Sequence, residues 1–276
     1  MRRRDKGKVT HDRCSGRSQL LNGTLQLLYG IIFNPGNGWT IWAFVPFNSI
    51  FVLHRCGYSV VALPTESIFN SMKAKKKIII VGATGTMGKY LAAAFEKEHD
   101  VIRVGTTGGD FQVDITSTGS IERLFQKTGS FDALICTAGP TYVGPWKNMT
   151  DKEFRKGLEG KLMGQINLVL IGQHYVNPKG SFTLITGALT YEPVINFANA
   201  SAANGAVEGF VRAAAIELEN DVRINAVSPT VIENSPQYFP FFQDIPVTMK
   251  QLEYGFRKSV FGANTGQVIK PYWESR

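Results

Sequence analysis

The residues best placed to do chemistry in this sequence are the glycines of Gly82-Ala83-Thr84-Gly85-Thr86-Met87-Gly88. They follow the apolar run Ile78–Val81 and precede Lys89–Lys97, where Tyr90, Leu91, Ala94 and Phe95 fall on one helical face. At such a junction glycines let the backbone turn tightly and approach a pyrophosphate. The helix start adds unpaired N–H groups and a partial positive charge. Gly82, Thr84, Gly85, Thr86, Met87 and Gly88 are therefore the candidate phosphate cradle. Glycines also end strands for steric reasons alone; the strand-to-helix position favours the phosphate reading.

A second group bears on which dinucleotide would fit. After the next apolar segment comes Arg103-Val104-Gly105-Thr106-Thr107-Gly108-Gly109, with no acid until Asp110. A carboxylate there would bond a ribose 2′-hydroxyl and repel a 2′-phosphate. Thr106 and Thr107 can donate to a phosphate and Arg103 is basic, which favours NADP(H) over NAD(H). The competing reading makes both threonines ordinary turn residues and lets strand alternation point Arg103 away. Metal chemistry is not expected: three cysteines and four histidines follow no ligand spacing.

The elements that must position these groups alternate along the chain. Strands are expected at Ile78–Val81, Val101–Val104, a short segment ending in Asp114-Ile115, Ala133–Thr137, Ser181–Thr186, Val222–Val227 and Gly266–Ile269. Helices are expected at Lys89–Lys97, Ser117–Gln126 (capped by Ser117 or Ser120), Phe154–Val176 and Ala200–Glu219. Short apolar strands separated by helices imply right-handed crossovers and a parallel sheet covered on both faces. The expected fold is α/β: a Rossmann-like doubly wound sheet in three layers, forming one domain from residue 72 to 276.

The first quarter of the chain differs. Residues 1–71 hold eight basic and three acidic residues, a net +5 of the chain's +8, so the basic balance is poor evidence for a nucleic-acid partner. From Ser18 to His54 there is no charged Asp, Glu, Lys or Arg, yet neither a 3.6 nor a 2.0 period is sustained. Trp39–Leu53 is too short to span a membrane and is interrupted by Pro46 and Asn48. Met72-Lys73-Ala74-Lys75-Lys76-Lys77 reads like a natural chain start. Residues 1–71 are thus expected to be over-translation or a disordered leader, with targeting and membrane association as the alternatives.

From residue 76 to 270 the sequence resembles the short-chain dehydrogenase/reductase family. Asp114-Ile115 is similar to the family's acid–aliphatic pair beside the adenine. Cys136-Thr137-Ala138-Gly139 resembles its Asn-Asn-Ala-Gly segment. Gly205-Ala206-Val207-Glu208-Gly209-Phe210 resembles the helix after its catalytic lysine, and Arg223-Ile224-Asn225-Ala226-Val227-Ser228-Pro229 the segment beside the nicotinamide. Thr265-Gly266-Gln267-Val268-Ile269 resembles its last strand. The resemblance adds Asp114, Ile115, Thr137, Ala138, Gly139, Pro229 and Val231 to the expected cofactor contacts.

It also implies where catalytic groups should stand, and there the sequence departs from the family. The family's Tyr-x-x-x-Lys pair falls on Ala200 and Asn204, its serine on Gly187 after Thr186, and its assisting asparagine on Lys161. The asparagine and lysine positions thus carry Lys161 and Asn204, as though exchanged. A buried Lys161 with a lowered pKa can serve as proton donor; the competing reading is a solvated helix residue. Thr186 offers a hydroxyl one position early, while Tyr191 and Tyr142 are candidate phenols or mere pocket lining. Tyr238, Phe239, Phe241 and Phe242, in the Ser235–Val260 region that resembles the family's substrate lid, suit an apolar or aromatic substrate or close a small core. The resulting expectation is an oxidoreductase acting on a carbonyl/alcohol pair; the alternative is a non-catalytic dinucleotide-binding regulator or redox sensor. Small residues Ala200, Ala203, Ala206, Ala213 and Ala214 resemble the family's dimer-forming helix, implying a homodimer or homotetramer, although they also suit packing on the sheet. Neither nucleic acid nor membrane is an expected partner, and a cytoplasmic location is expected, with targeting by residues 1–71 left open.

Overall fold

The structure is a computed structural model that describes residues 75–242 and 245–272 in full, together with the backbone of four strands between 28 and 64. The chain divides into two units, Met1–Ala74 and Lys75–Arg276.

In the first unit β1 (Leu28–Asn34), β2 (Gly38–Val45), β3 (Ser49–Leu53) and β4 (Leu63–Pro64) pair antiparallel in sequence order. Ile31 pairs with Ile41 and Ala43 with Phe51. The sequence suggested no regular element here, because no period is sustained. Residue type accounts for the strands: Ile, Trp, Phe, Val and Thr favour extended backbone whatever their spacing. The basic start, Arg2–Arg4, and the expected boundary at Met72 lie outside the described residues.

The second unit builds a seven-stranded parallel sheet from β5 (Lys77–Val81), β6 (Asp100–Gly105), β7 (Phe111–Gln112), β8 (Phe131–Cys136), β9 (Val176–Ile185), β10 (Arg223–Val227) and β11 (Val268–Ile269). Its order is β11-β10-β9-β8-β5-β6-β7. The chain runs outward from β5 to β7, then returns to lay β8 on the other side of β5. A crevice therefore opens beyond the carboxyl ends of β5 and β8, where such sheets take ligands.

Both faces of the sheet are covered, which explains why the strands read as unbroken apolar runs. Ile79 and Val81 face one core with Leu134, Phe182 and Leu184, closed by α2 (Thr118–Thr128), α4 (Gly164–Gly172) and α5 (Ala198–Glu217). Ile78 and Ile80 face the other core, closed by Leu91 and Phe95 of α1 (Thr86–Phe95) and Leu252 and Phe256 of α6 (Met249–Phe261). Burying each such side chain contributes about 1.5–3 kcal/mol. Ser117 caps α2 by accepting from the Ser120 N–H, one of the two caps expected.

Two expectations need correction. The long helix expected over Phe154–Val176 starts earlier and ends earlier. Thr150 and Glu153 form a capping box ahead of α3 (Asp151–Gly157), a π-helical turn spans Leu158–Met163, and α4 stops at Gly172. Gly172 lies where a Cβ would meet the Phe182 ring at 3.1 Å and the Phe125 ring at 3.0 Å, and Val176 already pairs with Phe131 in the sheet. The second correction concerns Ser235–Val260, whose final part is α6. Thr248 caps it with Gln251, and Met249, Leu252, Phe256 and Val260 are buried along one face as core.

Candidate active site

The glycine loop sits at the carboxyl end of β5. Gly82 has φ +89°, and a Cβ there would lie 2.9 Å from the Ala138 nitrogen and 2.6 Å from Thr137 Oγ1. Gly88 is stricter: a Cβ would meet the Gly82 carbonyl at 2.1 Å. These two glycines clamp the first turn of α1 onto the loop. No side chain caps α1, and the N–H groups of Thr86, Met87 and Gly88 bond no other described residue. The loop thus presents free donors at the positive end of a helix, over the crevice. Thr84 and Gly85 are exposed on its outer side.

Thr106 and Thr107 are exposed after β6. Arg103 is already committed: its Nε donates to Glu96 at 2.6 Å, and its backbone N–H donates to Asp110 at 2.8 Å. Asp114 accepts from both the N–H (2.9 Å) and the hydroxyl (2.7 Å) of Thr116, which lowers its pKa. Ile115 is buried against Gly164 of α4 rather than facing the crevice with its side chain.

A cavity of about 260 Å³ continues from the crevice, lined by Met87, Thr137, Gly139, Lys161, Thr186, Gly187, Asn204, Pro229, Thr230 and Val231 among others. Lys161 lies in the π-helical turn, and such single-turn insertions re-aim side chains at functional sites. It is 9% exposed and makes no ion pair with a described carboxylate. Burial without a counter-charge lowers its pKa to about 8. The nearby Cys136 thiol, itself pushed up to about 12 by burial, offsets this only in part. Cys136 is buried core, as its position in a strand suggested.

Asn204 projects from α5 into the same cavity. Its Nδ2 donates to the Gly187 carbonyl at 3.4 Å, while its buried Oδ1 has no partner. Thr230 Oγ1, also in the cavity wall, is buried and unpartnered. Both atoms are left to bond a water or a bound molecule in this cavity. Thr186 is buried, and its hydroxyl is 3.5 Å from the Val227 carbonyl. Ala200 and Gly187 line the cavity without offering a donor side chain.

The structure therefore brings Lys161, Thr186 and Asn204 together and leaves the two phenols outside. The Tyr191 hydroxyl donates a short hydrogen bond to Glu208, one turn along α5 from Asn204, and its ring lies 3.4 Å from Lys270 Nζ. Tyr142 bonds Asn199 through its N–H and faces Lys156. The phenol that does line the cavity is Tyr238, packed edge-on to Phe197. The sequence signal was its place among aromatic residues, which suggests packing rather than chemistry. On α5, Ala200 and Ala203 are buried, whereas Ala206 and Ala213 face outward.

Residues 73–247 match the sequence family described as enoyl-(acyl carrier protein) reductase. The chain is similar in structure to the protein lin1944 from Listeria innocua, with 41% identity, a TM-score of 0.69, and 71% of this chain and 98% of that one covered. It also resembles a small-chain dehydrogenase in complex with NADPH, at 25% identity and a TM-score of 0.64, covering 71% and 96%. A short-chain dehydrogenase/reductase from Brucella melitensis shares the fold at 18% identity and a TM-score of 0.63, covering 72% and 95%. No curated protein matches the sequence. No described helix is long and apolar enough to cross a membrane.

Proposed function

Because the chain belongs to the short-chain dehydrogenase/reductase family, we propose that it is an NADP(H)-dependent oxidoreductase that interconverts a small-molecule carbonyl and its alcohol, with Lys161 as the proton-carrying group. The observation that carries this reading is Lys161 itself: a buried lysine with no carboxylate partner among the described residues, in a cavity that continues from the glycine loop.

The chain's groups fit a dinucleotide. Gly82 and Gly88 let the loop pack closely enough to hold α1 in place, Gly85 leaves its outer side open to a pyrophosphate, and the free N–H groups of Thr86, Met87 and Gly88 would bind it. Thr106 and Thr107 would take the adenosine phosphate, beside Asp114 and the Ile115 backbone. Thr137, Ala138, Gly139, Pro229 and Val231 would wall the nicotinamide side. When bound, the reduced dinucleotide supplies a hydride. The NADPH complex of the small-chain dehydrogenase supports this cofactor choice.

Lys161 then holds a proton for the oxygen that becomes an alkoxide. An ammonium whose pKa is near 8 gives up its proton more readily than one near 10.5, and both forms exist near neutral pH. Thr186 offers a hydroxyl to orient the carbonyl. Asn204 Oδ1 accepts from a ribose hydroxyl, a water or the Lys161 ammonium. In the oxidative direction Lys161 returns as the neutral amine and takes the proton. Self-association through the outward small residues of α5 belongs to the same reading, with exposed Leu170 and Ile216 as apolar surface for it to cover.

The lack of donors at Gly187 and Ala200 favours a second reading, a dinucleotide-binding regulator without turnover. One experiment separates the two. NADPH and NADH are titrated by fluorescence, and aldehydes and ketones are then offered to the saturated protein. Binding with carbonyl-dependent oxidation supports the enzyme, binding without oxidation supports the regulator, and failure to bind either dinucleotide overturns both.

A further inference from the structure

A second cavity, of about 490 Å³, opens beside the first and shares Ala188 and Phe242 as common wall. Its remaining surface is largely apolar, from Pro193, Val194, Ile195 and Phe241, with Glu192 the one charged residue among those described. Ile195 is 83% exposed and Phe241 is 43% exposed. Apolar side chains left in water around a concavity mark a place where something apolar binds.

This cavity is held in shape by the same residue that lines the first. Phe197 is buried, and the rings of Phe241 and Phe242 pack against it edge-on at 5.5 and 5.8 Å between centroids. The loop opposite is tied at both ends. The Glu192 N–H donates to the Ala188 carbonyl at 2.9 Å, and the Asn196 carbonyl accepts from Gly144 at 3.0 Å. Asn196 adopts φ +73°, a conformation that asparagine tolerates better than most residues.

We infer that this cavity receives the hydrocarbon tail of the substrate whose carbonyl stands beside Lys161, so that the substrate class is an aldehyde or ketone bearing an extended, uncharged alkyl or arylalkyl chain. The reacting end rests on the reading given under Proposed function; the arm stands on its own geometry. Ala188 and Phe242 line both cavities, and this shared apolar wall makes the tail the occupant: a chain that extends along it from the first cavity reaches the second. Among the described residues the wall holds no lysine or arginine to take an anionic tail.

The test is a length series on the NADPH-saturated full chain, from butanal to dodecanal. Each added methylene should raise kcat/KM about fourfold, the factor equivalent to ~0.8 kcal/mol per buried CH₂. The gain should sit mainly in KM and level off once the arm is full. Ile195→Asp, at a solvated position with little bearing on folding, should flatten the long end and leave butanal unchanged. A series flat from the start, or one unaltered in both Ile195→Asp and Val194→Asp, overturns the inference. Should no aldehyde be reduced, the failure is that of the reaction assigned above, and calorimetric titration with 1-butanol to 1-dodecanol still decides the arm. Affinity that rises with length and is lost in Ile195→Asp supports it, and affinity independent of length overturns it. Self-association of the parent abolished by Ile195→Asp would make this surface a contact between copies and likewise overturn it.

Discussion

A Cβ on Gly139 would lie 2.8 Å from Cγ of Lys161 and 3.2 Å from its Cα, so a glycine after β8 is what seats the lysine stem of the π-helical turn. Gly139 also holds φ +148°, which disfavours any side chain. Gly139→Ala should therefore displace Lys161 and destabilise the fold by ~1–3 kcal/mol. The expected readouts are a lowered Tm and a fall in kcat of at least about tenfold, with a smaller change in NADPH affinity. Unchanged turnover would detach Lys161 from the chemistry.

The burial of Lys161 is also a statement about stability. Its folded pKa of about 8 lies below the unfolded value, so between these values the unfolded chain binds more protons and stability rises with pH. This contribution is complete above the unfolded pKa and is lost as pH falls through about 8, a difference of about 3 kcal/mol. Lys161→Met should then be more stable than the parent at neutral pH and lack that rise. Burial pushes the Cys136 thiol up to about 12 against the lowering effect of Lys161, so it opposes the trend only at alkaline pH, and more strongly in the variant. Urea unfolding at several pH values, taken as parent minus variant, reads the lysine together with its coupling to Cys136.

The three loop glycines should not be equivalent. Gly82→Ala and Gly88→Ala drive a Cβ into backbone, whereas Gly85 has φ −82° and its nearest atom is at 3.4 Å. NADPH titration should show a loss of affinity greater than about tenfold for Gly82 and Gly88 variants, equivalent to at least ~1.4 kcal/mol. Gly85→Ala should fold normally and bind with a smaller loss. Equal effects at all three positions would contradict the clamp.

Arg103 is basic but occupied, since Glu96 holds its guanidinium. Glu96→Gln releases it next to Thr106 and Thr107 and should raise the preference for NADPH over NADH severalfold. The cost in stability should be small, because the pair is half-exposed and screened by solvent. The ratio of the two dissociation constants is the measurement, and an unchanged ratio would show that Arg103 plays no part in cofactor choice.

Much of the fold was legible because local signals agreed. The unbroken run Ile78–Val81 announced a strand covered on both faces, and the glycine loop fixed the next helix start within a few residues. Lys161, Thr186 and Asn204 were found by counting from motifs, and they meet in one cavity. What stayed hidden depended on contacts between distant segments. Tyr191 lies near Gly187 in sequence, yet Glu208 draws its hydroxyl away. Tyr238 reaches the cavity through packing on Phe197, for which no spacing rule exists. The π-helical turn at 158–163 follows from no residue pattern, and α6 was masked by the aromatic residues before it.

If Lys161 carries the proton, the pH dependence of kcat/KM for carbonyl reduction by NADPH reports its titration. In the parent, kcat/KM should hold up to about pH 8 and then fall tenfold per pH unit as the Lys161 ammonium is lost. Lys161→Met should bind NADPH but lose a factor of about 10²–10⁴ in turnover. A variant that turns over within a few-fold of the parent, or that keeps the alkaline limb, would contradict the account.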